Sequence, residues 1–303
     1  MEKCEIKTEN RAAYEVLPAE GYDVAVCGGG PAGFVAAVVA ARNGSRTILI
    51  ERYGFLGGMA TAAMVGPISG FNKKGKRVIG GIPAEFINVL EKSGGAVTDY
   101  PSGNIPFDPE IYKLTAQRAV LKADASLLLH SYVSGCVMEA ERITGVVIEN
   151  KSGRQVIAAK YFIDCTGDAD LAKFAGLPFR VGDEQKGELQ PMTLWFRLGG
   201  VDTGNLENME MRLENTRYYN ARISDALKAM TSEKKVPKFG GPWLLTTLRQ
   251  GEVSVNMTRY AGDGTDAISL TEAECTLRED VFRLVELLKD HFPEFKNCYI
   301  LDT

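Results

Sequence analysis

Histidine occurs only twice in the 303 residues, at His130 and His291, and the six cysteines stand at positions 4, 27, 136, 165, 275 and 298 with no CxxC pair among them. A zinc or iron–sulfur centre needs clustered imidazole or thiolate donors at short spacings, so no metal is expected. Widely scattered cysteines also argue against a disulfide framework, and the expectation is reduced thiols in a cytoplasmic protein. No window approaches 18 continuous apolar residues, and the polar N-terminus lacks the apolar core of a secretory leader. No membrane partner is therefore expected. Blocks of Lys and Arg are missing too: 35 basic residues face 39 acidic ones, a formal charge of −4. Such a chain has no broad positive field to hold a nucleic acid. What remains is an ordinary globular composition, 45% hydrophobic and 24% charged, in a length that suits about two domains.

Residues 1–20 are polar and aperiodic and read as an N-terminal extension. The spacing then predicts a strand at Asp23–Cys27, a glycine turn, a helix over Pro31–Asn43 and a second strand at Arg46–Glu51. That succession is a βαβ unit with parallel strands. Helices at Ala84–Lys92 and Pro109–Lys122 occupy a long crossover, and Ser126–His130 is a third strand. Gly135–Ala159 reads as two or three short strands with a hairpin turn at Asn150–Gly153, followed by a buried-type strand at Tyr161–Cys165 and a helix at Ala169–Phe174 stopped by Gly176. Beyond Leu177 the pattern changes to an alternating run at Thr193–Leu198, a helix over Asn205–Met230, and a hairpin of Trp243–Arg249 with Val253–Tyr260. A long helix follows over Thr271–His291, opened by a Thr271/Glu274 capping box. The expected fold is α/β. A Rossmann-like dinucleotide-binding domain (parallel sheet with helices and a β-meander crossover) spans 21–178, and a mostly antiparallel α+β substrate domain spans 179–303.

The chemistry concentrates at Gly28, Gly30 and Gly33 in CGGGPAG, between a strand and a helix opened by Pro31 and Ala32. Gly28 permits the tight turn, Gly30 lets the backbone approach a pyrophosphate, and Gly33 brings helix and strand together. Free N–H groups at the helix start face the phosphates. Glu51 ends the second strand 23 residues after Gly28, where a carboxylate accepts from ribose hydroxyls and repels a 2′-phosphate. A glycine turn without a ligand is the plainer reading, and it leaves the acid at that spacing unexplained. The βαβ unit alone does not separate NAD from FAD.

The blocks CGGGPAGFVAAVVAARNG, ILIER, FLGGMAT and YFIDCTGDADLAKFAG, followed by QPMTLWFRLGGVD and VNMTRYAGDGTD, resemble the FAD-dependent oxidoreductase family of the glutathione-reductase-type flavoproteins. The resemblance implies FAD as cofactor, with Gly28, Gly30, Pro31, Ala32, Gly33 and Glu51 on its ADP part and Arg52 beside the adenosine. It further implies that Gly57, Gly58 and Met59 line the passage to the flavin, bare of Cβ atoms for a flat ring. Val133 is then placed beside the adenine, and Thr166, Gly167 and Asp168 form a second contact, where Thr166 also reads as a plain helix cap. Proteins of this superfamily close the flavin site with a later Gly-Asp segment, and no such pattern follows Asp280 before Thr303. The resemblance therefore implies a fragment that holds adenine nucleotide better than intact FAD.

The implied activity is hydride or electron transfer between the flavin and a small-molecule substrate, with an unidentified electron donor or acceptor as partner and self-association left open. A non-catalytic nucleotide-binding module is the alternative. An NAD-dependent or thiazole-synthase-like protein is a third reading, disfavoured by the scarcity of His and Cys. Arg197, Arg259 and Tyr260 are candidate catalytic residues, since a sheet arginine facing a flavin can hold a carboxylate. The bland reading for each is an exposed strand position. His130, His291 and Cys165 read as structural.

Overall fold

The computed structural model describes residues 15–73, 75–98, 103–203, 213–230 and 236–303. Strand β1 (Glu15–Cys27) runs into helix α1 (Pro31–Arg42), which returns the chain to β2 (Thr47–Ile50). Proline at the first helical position and an alanine-rich body favour this helix, and Gly44, at φ +84°, ends it in the left-handed region that glycine tolerates. Two short strands, β3 (Asn72–Lys73) and β4 (Lys76–Arg77), precede α2 (Gly81–Lys92) and α3 (Pro109–Lys122). Then come β5 (Ser126–Leu128), β6 (Tyr132–Glu139), β7 (Arg142–Asn150), β8 (Gly153–Asp164) and the short α4 (Asp170–Phe174). The first sheet has the order β5-β2-β1-β8-β7-β6. Its first four strands are parallel, and β7 and β6 add antiparallel to β8.

Side chains alternate across β1, so the strand feeds two cores. Val24 and Val26 pack with Leu49 against Phe34 and Val38 of α1 and Phe86 of α2, whereas Ala25 and Cys27 pack with Ile48, Ile50, Val133 and Ile148. Burial on both faces accounts for the unbroken apolar runs of β1 and β2.

The later elements are β9 (Phe196–Gly199), α5 (Leu213–Met230), β10 (Phe239–Thr246), β11 (Val253–Thr258), α6 (Ala267–His291) and β12 (Tyr299–Asp302). Their antiparallel sheet has the order β10-β11-β9-β12. Phe196, Leu198, Val253, Val255 and Met257 turn one face of it toward Val281, Leu284 and Leu288 of α6, forming a core separate from the first two. Arg249 donates to Asp108 at 2.9 Å and ties this sheet to the helical crossover of the first.

Several expectations are corrected. The segments Gly135–Ala159 and Tyr161–Cys165 are not divided, because β8 is one strand that pairs antiparallel with β7 along its first half and parallel with β1. His130 lies beyond β5 at φ +53°, outside strand conformation. Strand β12 went unanticipated. Helix α6 begins at Ala267, since the Asp266 carboxylate accepts from the Ser269 amide at 2.8 Å and caps it there. Thr271 is inside the helix, donating to Ala267 O at 2.7 Å, and Glu274 pairs with Arg278 at 2.9 Å rather than with the chain before it. The first part of the expected Asn205–Met230 helix, residues 205–212, lies outside the described residues, as do residues 1–14 of the expected 1–20 extension, whereas residues 15–20 of that extension belong to β1, which pairs with β8.

These caps generate a prediction. Asp266→Ala should lower stability by about 1 kcal/mol, whereas Thr271→Ala should stay within about 0.5 kcal/mol of the parent. Urea melts of the two variants compare them directly, and the reverse order would restore the capping box at Thr271.

Candidate functional site

The C-terminal ends of β1, β2 and β8 meet the start of α1 around a cavity of about 200 Å3. Its walls are the turn at Gly28, Gly30, Pro31 and Ala32, the segment Glu51, Arg52 and Tyr53, the pair Gly58 and Met59, Ser131 to Val133, and Cys165, Thr166, Gly167 and Asp170. Four stretches distant in sequence are thus brought to one place.

The glycines of the turn fall into two kinds. At Gly28 (φ +100°) a Cβ would lie 2.2 Å from Cys165 O, and at Gly33 it would lie 1.7 Å from Gly28 O. Gly29 is equally constrained, its Cβ position being 2.5 Å from Leu56 Cδ2. These residues are glycine because the protein's own backbone and side chains fill the space. Gly30 differs: nothing but Gly58 Cα, at 3.9 Å, stands near its Cβ position, so its bare side borders the cavity.

Glu51 is 5% exposed, and both carboxylate oxygens are held by backbone amides. Gly29 N donates to Oε2 at 2.6 Å and Tyr53 N to Oε1 at 2.7 Å. A buried carboxylate requires such donors, and each oxygen keeps a second acceptor site for a hydroxyl arriving from the cavity. Beside it Arg52 is exposed, with its guanidinium 4.8 Å from the Tyr53 ring centroid.

Gly57 N donates to Gly29 O at 2.9 Å, which lays the 57–61 turn against the first glycine turn. The expectation that Gly57 and Gly58 are bare for a flat ring needs a different reason. At Gly57 a Cβ would lie 2.4 Å from Thr61 Cγ2, and at Gly58 it would lie 2.9 Å from Gly30 Cα. Close packing within the protein therefore requires both. Gly57 and Gly33 stand behind the cavity wall, whereas Gly58 and Met59 line it, Met59 with half its surface exposed.

On the far wall, Thr166 donates through Oγ1 to Asp164 Oδ1 at 2.7 Å and accepts there from Asp170 N, the first amide of α4, at 2.9 Å while also lining the cavity; the cap position itself is Ala169. Asp168 is exposed and outside the lining; the acid in the wall is Asp170. Burial raises the Asp170 carboxyl above its ordinary value, Asp168 and Asp164 push it further, and Arg52 and Lys173 oppose them in part. Burial also raises the Cys165 thiol and pushes Cys27 up to about 12, so neither offers a thiolate. Val133 is buried in β6 opposite Ile148. The His130 ring lies against Gly54, where a Cβ would meet its Cε1 at 2.6 Å, and His291 ends α6. Gly29, Tyr53, Ser131 and Asp170 were missed from sequence. Only Gly29, the middle of three glycines, carried a visible signal.

Arg197, Arg259 and Tyr260 do not line this cavity. Arg197 forks onto Asp302 of β12, with Nε 3.0 Å from each carboxylate oxygen and Nη2 closing the pair, so its charge is already met. Tyr260 donates to Glu272 Oε2 at 3.3 Å. Arg259 has neutral partners only among the described residues, donating through Nη1 to Thr193 Oγ1, Asn256 Oδ1 and Thr258 O. Among the described residues no group of three or more His, Cys, Asp or Glu could hold a metal ion, and no helix is long and apolar enough to cross a membrane.

Comparison with known proteins bears on this arrangement. A family model described as FAD dependent oxidoreductase matches residues 23–303. The digeranylgeranylglycerophospholipid reductase of Thermoplasma volcanium is 28% identical over 173 residues, 52% of this chain and 42% of that protein. The thiamine thiazole synthase of Pyrococcus horikoshii is 30% identical over 161 residues, 50% of this chain and 60% of that protein. The matched stretch thus covers about half of these relatives' own lengths. Among solved structures, a geranylgeranyl bacteriochlorophyll reductase-like protein from Thermoplasma acidophilum shares the fold with TM-score 0.52 at 19% identity, over 95% of this chain and 64% of that one.

The strained acid in the cavity wall yields a pH prediction. A carboxyl whose value is raised on folding binds its proton more tightly in the folded state, so it contributes a decline in stability as pH rises from about 4 through the folded value. Asp170→Asn should flatten that decline and leave the protein more stable than the parent at neutral pH. Thermal unfolding of both across this range is the measurement.

Proposed function

The chain belongs to the FAD dependent oxidoreductase family, and on that premise we propose that the cavity at the start of α1 receives the adenosine diphosphate half of FAD while a small molecule is oxidised or reduced beside the second sheet. The observation that carries this reading is Gly30, the one glycine of the 28–33 turn whose missing Cβ faces free space rather than protein. A pyrophosphate needs such a bare wall, and it needs donors. Helix α1 begins at this wall with no side chain capping its first turn, so its amides are available to phosphate oxygens.

The remaining residues fit the same ligand. The buried Glu51 carboxylate, locked by two amides, is placed to accept from ribose hydroxyls and to repel a 2′-phosphate, which selects against NADP. Arg52 and Tyr53 flank the sugar, Val133 offers its strand edge to the adenine, and Thr166 and Gly167 close the opposite side. Gly58 and Met59 lead from the pyrophosphate toward the flavin. Thiols held protonated at Cys27 and Cys165 keep nucleophiles away from the cofactor. FAD supplies the two-electron chemistry when bound, and the chain supplies position, charge and exclusion of water. Turnover requires an electron donor or acceptor. Family membership does not favour a nucleotide-binding module without turnover.

Titration calorimetry tests the assignment. FAD and ADP should both bind more tightly than NADP, and Gly30→Val should weaken FAD at least about tenfold while the melting temperature holds, because a Cβ at position 30 enters the phosphate space and has only Gly58 Cα, at 3.9 Å, near it. Gly33→Val should fail to fold. Unchanged FAD affinity in a folded Gly30→Val protein would displace the phosphate from this wall.

A further inference from the structure

The second sheet has a face opposite α6 that does not line the cavity at the start of α1, with Ser254 and Thr258 buried on it. Val253, Val255 and Met257 of β11 point into the core with α6, so Ser254, Asn256 and Thr258 point the other way. Both tryptophans of the chain belong to that other face. Trp243 on β10 pairs across from Asn256, and the Trp195 indole N–H, one residue before β9, donates to Ser254 Oγ. Ser254 and Arg197 border a small crevice together with Ala60 and Met64, which follow Gly58 and Met59 in the chain.

Two arginines serve this face and they differ. Arg197 has its carboxylate, Asp302. Arg259 is half-buried, lies 5.0 Å from the Trp243 ring centroid, and forms no ion pair with any described residue. Its bonds all leave from Nη1 to neutral acceptors, at 3.2 Å to Thr193 Oγ1, 2.8 Å to Asn256 Oδ1 and 2.5 Å to Thr258 O. Gly240 accommodates it, since a Cβ there would fall 2.7 Å from Nε. Burial lowers the Arg259 value, and among the described residues no carboxylate offsets that cost. A half-buried guanidinium fixed on an indole, with no counter-charge among the described residues, is arranged for an anion that arrives from outside.

We propose that this face is the substrate subsite and takes a planar carboxylic acid, its carboxylate on Arg259 and its flat body against the indoles. Asn256 and Thr193 hold the guanidinium in place, and Trp243 supplies an aromatic surface with half its area open to solvent. The word substrate rests on the FAD reading; binding of the acid does not.

Because both tryptophans lie here, their fluorescence reports occupancy. Titration of the full chain with benzoate, with benzamide as the uncharged isostere and with acetate as the acid without a ring, should show benzoate binding at least about tenfold more tightly than either. Arg259→Met should lose the same factor while retaining its far-UV spectrum, and Arg259→Lys should fall between. Benzamide or acetate binding as tightly as benzoate overturns the proposal, as does a folded Arg259→Met protein with undiminished benzoate affinity. The three-probe comparison needs no variant, so it decides the matter even if Arg259→Met fails to fold. Repeating the titration after an independent FAD titration separates the two claims: failure of FAD to bind counts against the cofactor reading alone, and failure of benzoate against this one.

Discussion

A single buried carboxylate organises the first half of the molecule. Glu51 accepts from Gly29 N at 2.6 Å and from Tyr53 N at 2.7 Å, so it fixes the glycine turn after β1 to the chain leaving β2. Removing an ionised group from water is costly unless amides replace the lost hydration, and here two amides that the turn itself exposes do so. The acid can lie beneath the turn only if Gly29 has no side chain, because a Cβ there would approach Glu51 Oε2 to 3.0 Å. Shape of turn, position of acid and free wall at Gly30 are thus one linked choice. The second glycine pair follows from it, since Gly57 N bonds to Gly29 O and the Gly58 backbone leans on Gly30.

The second half manages charge by a different rule. Its sheet buries an apolar face under α6 and carries hydroxyls, an amide and two indoles on the opposite face. Arg197 on that opposite face is neutralised across the β9–β12 pair, and Glu252 lies 4.0 Å away to reinforce it. The Asp302 carboxylate accordingly holds the Arg197 guanidinium above its ordinary value, opposite in direction to Arg259. Two side chains of the same chemistry on one surface therefore have different capacities for a guest anion.

How much of this was legible in the sequence depends on whether the determining contact is local. The βαβ unit follows from apolar runs, alanine-rich helix and glycine punctuation within thirty residues, and α3 is found at the limits its pattern predicts, Pro109–Lys122. Glycines 28, 30 and 33 and Glu51 could be singled out because their spacing reflects one supersecondary unit. The separate reasons for each glycine were not all readable: that Gly57 is bare for Thr61 is a contact between side chain and backbone that no periodicity records. Strand β12 is a four-residue edge whose partner β9 is distant in the chain, and local pattern has nothing to say about such pairing. Asp170 escaped notice because Asp168 stands nearer the glycine; the left-handed Ala169 between them, at φ +59°, is a backbone reversal that no periodicity records, and Asp170 is the one that lines the cavity.

The cavity is closed from far along the chain. Its first wall is complete by Met59, yet Cys165 O sits over Gly28, Cys165 N bonds to Cys27 O at 2.8 Å, and Thr166 and Asp170 supply the opposite side. During synthesis the glycine turn emerges long before β8 can dock beside β1, and loop closure over that intervening stretch costs entropy before any contact repays it. A nascent chain shorter than β8 therefore displays β1 with one open edge and a turn with nothing above it. Such an edge invites pairing with other strands. The cavity is in this sense a late product of folding, and the same docking of β8 that finishes it also removes the exposed edge.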